Sequence, residues 1–492
     1  MKESKPFGRQ IIKGSAWIIA LEFSNQVLQF IKTFYAAKIL SPVDFGIVGF
    51  AFLIIAVLDV LSTTGMKEAI IQRKDNVQSY LSTVWVIELA KGVVVLVGSL
   101  FLAPLIIHWA KPANPELIEN VIRFIGLLYF VLCSTNIGVV YFEKNIEFNR
   151  FFLYQFSGTL TDVIVSLVLV YYLQNVWALF YGIMAGTVVR VLFSFLLINF
   201  RPKLEFDYHK ARELLKYGKW IFKGRIFTFL GMQLDSIVAS TFFSLYAFGI
   251  YQMAYRIGNL PMNQVANVMG RVIFPTFSKV HDDLEKVKSY FLASLNVIAV
   301  CLAPIVILIF CFIPEFTVLL LGEKWILIVP VVRVLVMAGF LRIFATVVEY
   351  FFMSTGEPKT SSNLQTYRFI LFLIFIGPLG YFWGLAGLAL AGLFAIFTVT
   401  VFYLRKACFQ LNIRGSEIVE SLLQPLIFAT LVTLFVFCLK SVVNTDTISK
   451  FLLINSLVVA FYFIMGLLLN RYTRIKLFEK TISFFKIYKS KV

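Results

Sequence analysis

The chain has 492 residues, 59% of them hydrophobic and only 15% charged, with a mean hydropathy of +0.84. A water-soluble fold needs far more charged surface, so the composition excludes one and requires a polytopic membrane protein. The net charge of +18 sits in short basic segments between apolar runs, as in cytoplasmic loops, and so does not describe a nucleic-acid-binding surface.

The opening stretch, MKESKPFGRQIIKGSAW, places basic residues before apolar ones, as a signal peptide does. The run beyond it carries Glu22, Asn25, Gln26, Gln29 and Lys32, which makes a poor leader core, so it is read as a retained first span. A span needs about 20 mostly apolar residues. By that rule fourteen are expected, near 11–37, 43–66, 81–109, 118–142, 151–173, 177–199, 216–243, 245–277, 290–314, 326–353, 362–382, 384–405, 420–440 and 449–470. The first, seventh and eighth are the least apolar, and a hydropathy window would pass over them. Pro261 is expected to kink the eighth. Loops carrying Lys2 to Lys13, Lys144 and Arg150, Arg201 to Lys219, Lys279 to Lys288 and Arg405 to Arg414 alternate with loops nearly free of Lys and Arg, which places both termini in the cytoplasm. Residues 471–492 put Ile475, Phe478, Ile482 and Phe485 at helical spacing among lysines, the pattern of an amphipathic tail on the inner membrane surface.

No loop is long enough for a folded domain, and the outer loop Trp109–Asn120 offers no catalytic group; the reading is a transporter, not an enzyme. The five cysteines form no CxxC, and His108, His209 and His281 have no ligand spacing, so no metal site is expected.

An internal repeat organises the spans. Shifting residues 13–71 by 203 positions aligns Lys13 with Lys216, Trp17 with Trp220, Ala36 with Ala239, and SPVDFGI (Ser41–Ile47) with SLYAFGI (Ser244–Ile250). Spans 1–6 thus read as a copy of spans 7–12, giving lobes over 1–200 and 201–410, two further helices over 411–470, and the tail. At this register Glu22 meets Arg225 and Lys32 meets Asp235, so the first and seventh helices each carry two charges ten residues apart with the signs exchanged. Glu22, Gln26, Gln29 and Lys32 share a helical face, as do Arg225, Thr228, Met232 and Asp235. Charges at such depth belong at a cavity or a partner, not at lipid. Glu88 and Lys91, one turn apart, are expected to pair; Arg342 and Glu349, two turns apart, are expected on one face; Asp59, Asp162 and Arg190 receive no role.

The stretches AAKILSPVDFGIVGFAFLI, GMKEAIIQRKD, FEKNIEFNR, NVWALFYGIMAGTVVRVL, YRIGNLPMNQVANVMGRVIFPTFSKVHDD and LLLGEKWILIVPVVRVL, spread over residues 8–410, resemble the polysaccharide transporter family. These are the Wzx-type oligosaccharide-lipid flippases of the MOP (MATE-like) superfamily. The resemblance implies an all-α membrane protein of about 14 transmembrane helices: two pseudo-symmetric six-helix lobes around a central cavity, plus two C-terminal helices. It implies an undecaprenyl-diphosphate-linked oligosaccharide as substrate, alternating access across the inner membrane, no bound cofactor, a proton or sodium gradient as candidate driving force, and a polysaccharide polymerase and chain-length regulator as candidate partners. A diphosphate suits arginine's planar fork. The expected substrate-binding residues are therefore Arg225, Arg256, Lys32, Arg342, Tyr255, Asn259 and Asn263, with Asp235 and Glu22 as ion-coupling or gate residues. An ion-coupled MATE-type drug exporter is the alternative; it would carry an acidic cavity, whereas this second lobe is rich in arginine.

Overall fold

In lipid every backbone N–H and C=O needs a partner within the chain, and an apolar run meets that need locally as a helix. The computed structural model describes residues 7–61, 65–72, 77–110, 114–280, 283–442 and 447–472, and its long elements are all helices. In chain order they are α1 (Phe7–Ile39), α2 (Pro42–Leu61), α3 (Met66–Gln72), α4 (Gln78–Ala110), α5 (Pro115–Cys133), α6 (Val140–Lys144), α7 (Phe148–Leu173), α8 (Trp177–Leu196), α9 (Tyr208–Phe242), α10 (Leu245–Val280), α11 (Leu284–Phe316), α12 (Ile328–Ser354), α13 (Pro358–Gln410), α14 (Gly415–Val442) and α15 (Ile448–Tyr472). The tail expected over 471–492 lies outside the described residues beyond Tyr472.

Among the described residues nine helices are long and apolar enough to cross a membrane, and a bent pair makes a tenth. As their composition foretold, α1, α9 and α10 are not among the nine, although each exceeds 30 residues. The bent pair is the fourth expected span. It turns by 62° between Cys133 and Ile137. Asn136, fully buried, makes the turn: its Oδ1 accepts from the Gly138 amide at 2.9 Å and its Nδ2 donates to the Phe200 carbonyl at 2.8 Å. At about 1.5 Å per residue, the 53 residues of α13 would extend about 80 Å, far beyond a hydrocarbon core of about 30 Å. Gly384 breaks it at φ 56°, ψ −130°, a conformation that suits a residue without Cβ, leaving arms over 358–383 and 385–410.

The chain forms two compact units, Met1–Gly249 and Ile250–Val492. In the first, α7 packs along α8 and α1, and α4 along α5. The α7–α8 crossing is close because it is built on glycine: a Cβ on Gly158 would stand 2.8 Å from the Gly186 carbonyl oxygen. Helix α9 leans on α2, α3 and α4. Tyr80 donates to Glu213 Oε2 at 2.8 Å, and the Asp207 amide donates to Thr83 Oγ1 at 3.2 Å. The unit boundary at Gly249 and the lobe boundary expected near residue 200 differ: α9, the seventh expected span, packs within the first unit.

Two serines aligned by the 203-residue shift begin their helices in the same way. Ser41 and Ser244 cap α2 and α10 alike, each Oγ accepting from the amide three residues on, Asp44 at 3.3 Å and Ala247 at 3.2 Å. One turn in, Gly46 lies against the carbonyl of Leu245 and Gly249 against the carbonyl of Pro42. Both the glycines and their partners are equivalent under the repeat, so one contact is made twice, reciprocally.

In the second unit, Met262, Phe277, Phe291, Leu295, Ile343, Phe351 and Phe352 anchor a core shared by α10, α11, α12 and α13. Helices α14 and α15 close on α11 through Phe312, Phe428, Val432, Ile454 and Tyr462. Polar bonds hold them in register: Asn296 Nδ2 donates to the Ser421 carbonyl at 2.8 Å, Tyr462 to the Val300 carbonyl at 2.5 Å, and Lys440 to the Cys311 carbonyl at 2.9 Å.

Candidate functional site

Among the described residues, two polar constellations include expected site residues, one in each unit. In the first unit Lys32, on the last third of α1, is buried and meets Asp162 of α7 at 2.7 Å; their side chains are 10% and 11% exposed. Asp162 Oδ2 also accepts from Gln29 Nε2 at 2.9 Å, and Oδ1 accepts from Ser166 Oγ at 3.2 Å. Gln29 and Lys32 are one turn apart, as are Asp162 and Ser166, so the α1–α7 packing presents two donors of one helix to the carboxylate of the other. Glycine sets the geometry behind Asp162. A Cβ on Gly186 would stand 2.7 Å from the Asp162 Cβ, and one on Gly182 would stand 2.9 Å from its carbonyl oxygen.

In the second unit Arg342 of α12 donates through Nη2 to Asn259 Oδ1 of α10 at 2.7 Å. Asn259 is buried and Arg342 half-buried. Gly339, one turn before Arg342, allows this approach, since a Cβ there would stand 2.7 Å from Met262 Cγ. Tyr255 is half-buried one turn from Asn259, its ring 6.3 Å from that of buried Tyr251.

The expected residues distribute as follows. Arg342 and Asn259 come together as hydrogen-bond partners. Lys32 is paired with Asp162, a residue given no role from sequence. Arg225, Arg256 and Glu22 are exposed on α9, α10 and α1. Asp235 is half-buried, its Oδ1 accepting from the Ser236 amide at 2.8 Å. The side chains of Asn263, Thr228 and Met232 lie outside the described ones. Glu88 and Lys91 pair at 3.0 Å as their spacing required. Arg342 and Glu349 bond to different helices: Glu349 accepts from Gln365 Nε2 at 2.9 Å and from Ser361 at 3.3 Å, both on α13, while Arg342 donates to Asn259 of α10. Seven residues advance a helix by nearly two turns, so the two stay on one face while their side chains reach different partners. The signal that would have found Asp162 is its depth: a carboxylate at the middle of an apolar span must have a partner, and the only question is which.

The sequence matches a family described as polysaccharide biosynthesis protein over residues 36–330. This chain belongs to the polysaccharide biosynthesis protein family. It is 26% identical over 364 residues to the lipopolysaccharide biosynthesis protein WzxC of Escherichia coli (strain K12), covering 74% of this chain and 73% of that one. Its fold resembles that of the lipid II flippase MurJ in an inward closed conformation, with a TM-score of 0.71 at 16% identity, covering 93% of this chain and 99% of that one. It also resembles an inward-facing multidrug resistance MATE family transporter of the MOP superfamily, with a TM-score of 0.62 at 18% identity, covering 79% of this chain and 94% of that one. At these identities the two structures establish the fold alone: this member of the polysaccharide biosynthesis protein family is a polytopic membrane protein, helical throughout its long described elements, with the fold those two transporters share.

Proposed function

We propose that this protein is a flippase that carries a polyprenyl-diphosphate-linked oligosaccharide across the bacterial cytoplasmic membrane by alternating access, supplying a surface polysaccharide. The observation that carries the reading is family membership joined to the fold: a polysaccharide biosynthesis protein built on a transporter scaffold has transport, not bond-making, as its step. Among the described residues no group of three or more His, Cys, Asp or Glu stands together as metal ligands do. The side-chain chemistry supports an anionic head group. Lys32 and Arg342 present cations within spanning helices, beside amide and tyrosine side chains suited to sugar hydroxyls. Arg225 and Arg256 add exposed guanidinium groups, which grip phosphate oxygens in pairs. In this reading both termini are cytoplasmic, a proton or sodium gradient drives the cycle with Asp235 and Glu22 as candidate coupling groups, and a polymerase with its chain-length regulator receives the product outside.

The test is a chromosomal deletion complemented with the wild type or with Arg225→Ala, Arg256→Ala or Arg342→Ala. The expected result is loss of surface polysaccharide, with the lipid-linked repeat unit accumulating on the inner leaflet, in the deletion and in variants that still reach the membrane. Surface polysaccharide at wild-type level in the deletion strain, together with new sensitivity to organic cations, would instead identify a drug exporter.

A further inference from the structure

The ion pair of the first unit has an asymmetry that a simple packing bridge does not need. Asp162 is fixed. Its helix crosses α8 so closely that a Cβ on Gly186 would stand 2.7 Å from the Asp162 Cβ, and one on Gly182 would stand 2.9 Å from its carbonyl oxygen. Its carboxylate is bonded three times, by Lys32 and Gln29 on Oδ2 and by Ser166 on Oδ1. Two of these donors are neutral. With Lys32 withdrawn, Gln29 and Ser166 would still satisfy both oxygens, so the site is already built for the state in which the lysine has left. Lys32 is the opposite kind of group, a compact ammonium on a flexible four-carbon stem, able to reach a second anion without any movement of α1.

We propose that Asp162 is a positioning residue that stands in for the substrate's anion. It holds Lys32 when no diphosphate is present, releases it to the diphosphate when the head group arrives, and draws it back when the head group leaves. This rests on the reading that Lys32 contacts the diphosphate. The exchange keeps a partner on the lysine throughout, so the buried cation is never left bare, and Gln29 and Ser166 limit the cost to the carboxylate meanwhile. It also gives the site a restoring element. A cation without a competing carboxylate would hold the diphosphate too tightly to release it on the far side, and Asp162 supplies that competition.

The experiment measures binding of inorganic pyrophosphate and of undecaprenyl diphosphate to the purified full chain in lipid nanodiscs, alongside polysaccharide export in the complemented deletion strain. Lys32→Gln is expected to weaken binding of both. Asp162→Asn, which nearly preserves volume but removes the competing charge, is expected to tighten it, by roughly tenfold if about 1.4 kcal/mol of competition is removed, while export falls because release slows. Ser166→Ala, distant from the ligand by this scheme, is expected to weaken binding several-fold because Asp162 then holds Lys32 more strongly. A purely structural pair predicts no tightening in Asp162→Asn. If Lys32→Gln weakens binding but Asp162→Asn does not tighten it, the exchange is overturned and the phosphate reading of Lys32 stands. If Lys32→Gln leaves binding unchanged, that reading fails and the exchange with it. Should Asp162→Asn fail to reach the membrane, Ser166→Ala decides: unchanged or tighter binding overturns the proposal.

Discussion

The reciprocal contact of Gly46 and Gly249 can be tested by adding a single methyl group. An alanine Cβ at Gly46 would stand 2.9 Å from the Leu245 carbonyl carbon, with the carbonyl oxygen nearer still; one at Gly249 would stand 2.9 Å from the Pro42 carbonyl carbon and 2.8 Å from the Gly46 nitrogen. Ordinary van der Waals contact begins at 3.4 Å. The obstacle in each case is backbone at the first turn of a capped helix, not the end of a flexible side chain. The ends of α2 and α10 must therefore part by at least 0.5 Å along that line, with further separation to clear the oxygen. Overpacking of this kind costs about 1–3 kcal/mol, and rigid neighbours place it at the upper end. The assay is thermal unfolding of the purified protein in detergent, for Gly46→Ala, Gly249→Ala and the double variant. Each single substitution is expected to lower the midpoint. Because both act on one contact, the double variant should lose less than the sum of the two, with a coupling of about 0.5–3 kcal/mol. Unchanged melting of Gly46→Ala would refute the close approach, and strictly additive losses would refute the shared contact.

Three further outcomes follow from single residues. Lys440 of α14 pairs with Glu315 of α11 and lies 5.3 Å over the Phe312 ring, while Glu315 Oε2 is buried without a hydrogen bond; Lys440→Met should destabilise by about 3 kcal/mol, and adding Glu315→Gln should recover much of it, read by thermal unfolding. Asn259→Asp should impair export more than Asn259→Ala, because a carboxylate beside the Arg342 guanidinium neutralises the charge offered to an anionic substrate, whereas alanine only removes its brace; equal export by the two variants would argue against it. At the turn before α13, Thr360, then Gln410 and Lys406, hold the Glu357 carboxyl below its ordinary range, tying the start of α13 to its end. A depressed carboxylate pKa contributes stability that is present above the unfolded value of about 4.3 and lost as pH falls through the folded one. The acid sensitivity of unfolding below that pH should therefore shrink in Glu357→Gln, and an unchanged profile would remove Glu357 as its source.

Much of the architecture could be read from order and spacing alone. The rule of about 20 apolar residues ended one expected span at 382 and began the next at 384, and Gly384 is where α13 breaks. Glu88 and Lys91 pair because three residues on a helix fix their distance without help from the rest of the chain. The polar composition that weakened the first, seventh and eighth spans also separates α1, α9 and α10 from the plainly apolar helices. The bend at Asn136 was not legible in the same way, because the partners that satisfy it, Ser194 and Phe200, lie 58 and 64 residues away.

The sequence by itself determined that this protein lives in a bilayer, where its long helices run, and that certain charges sit at depth and must be answered. Those conclusions need only transfer energies and a 3.6-residue period, which act along the chain. Which group answers each charge was decided only by tertiary structure. Lys32 meets Asp162, 130 residues away, and Arg342 meets Asn259 on another helix. Glycine crossings bring α7 against α8 and α10 against α12 closely enough to fix those neighbours, and a choice made by packing between distant segments leaves no periodic mark in the sequence.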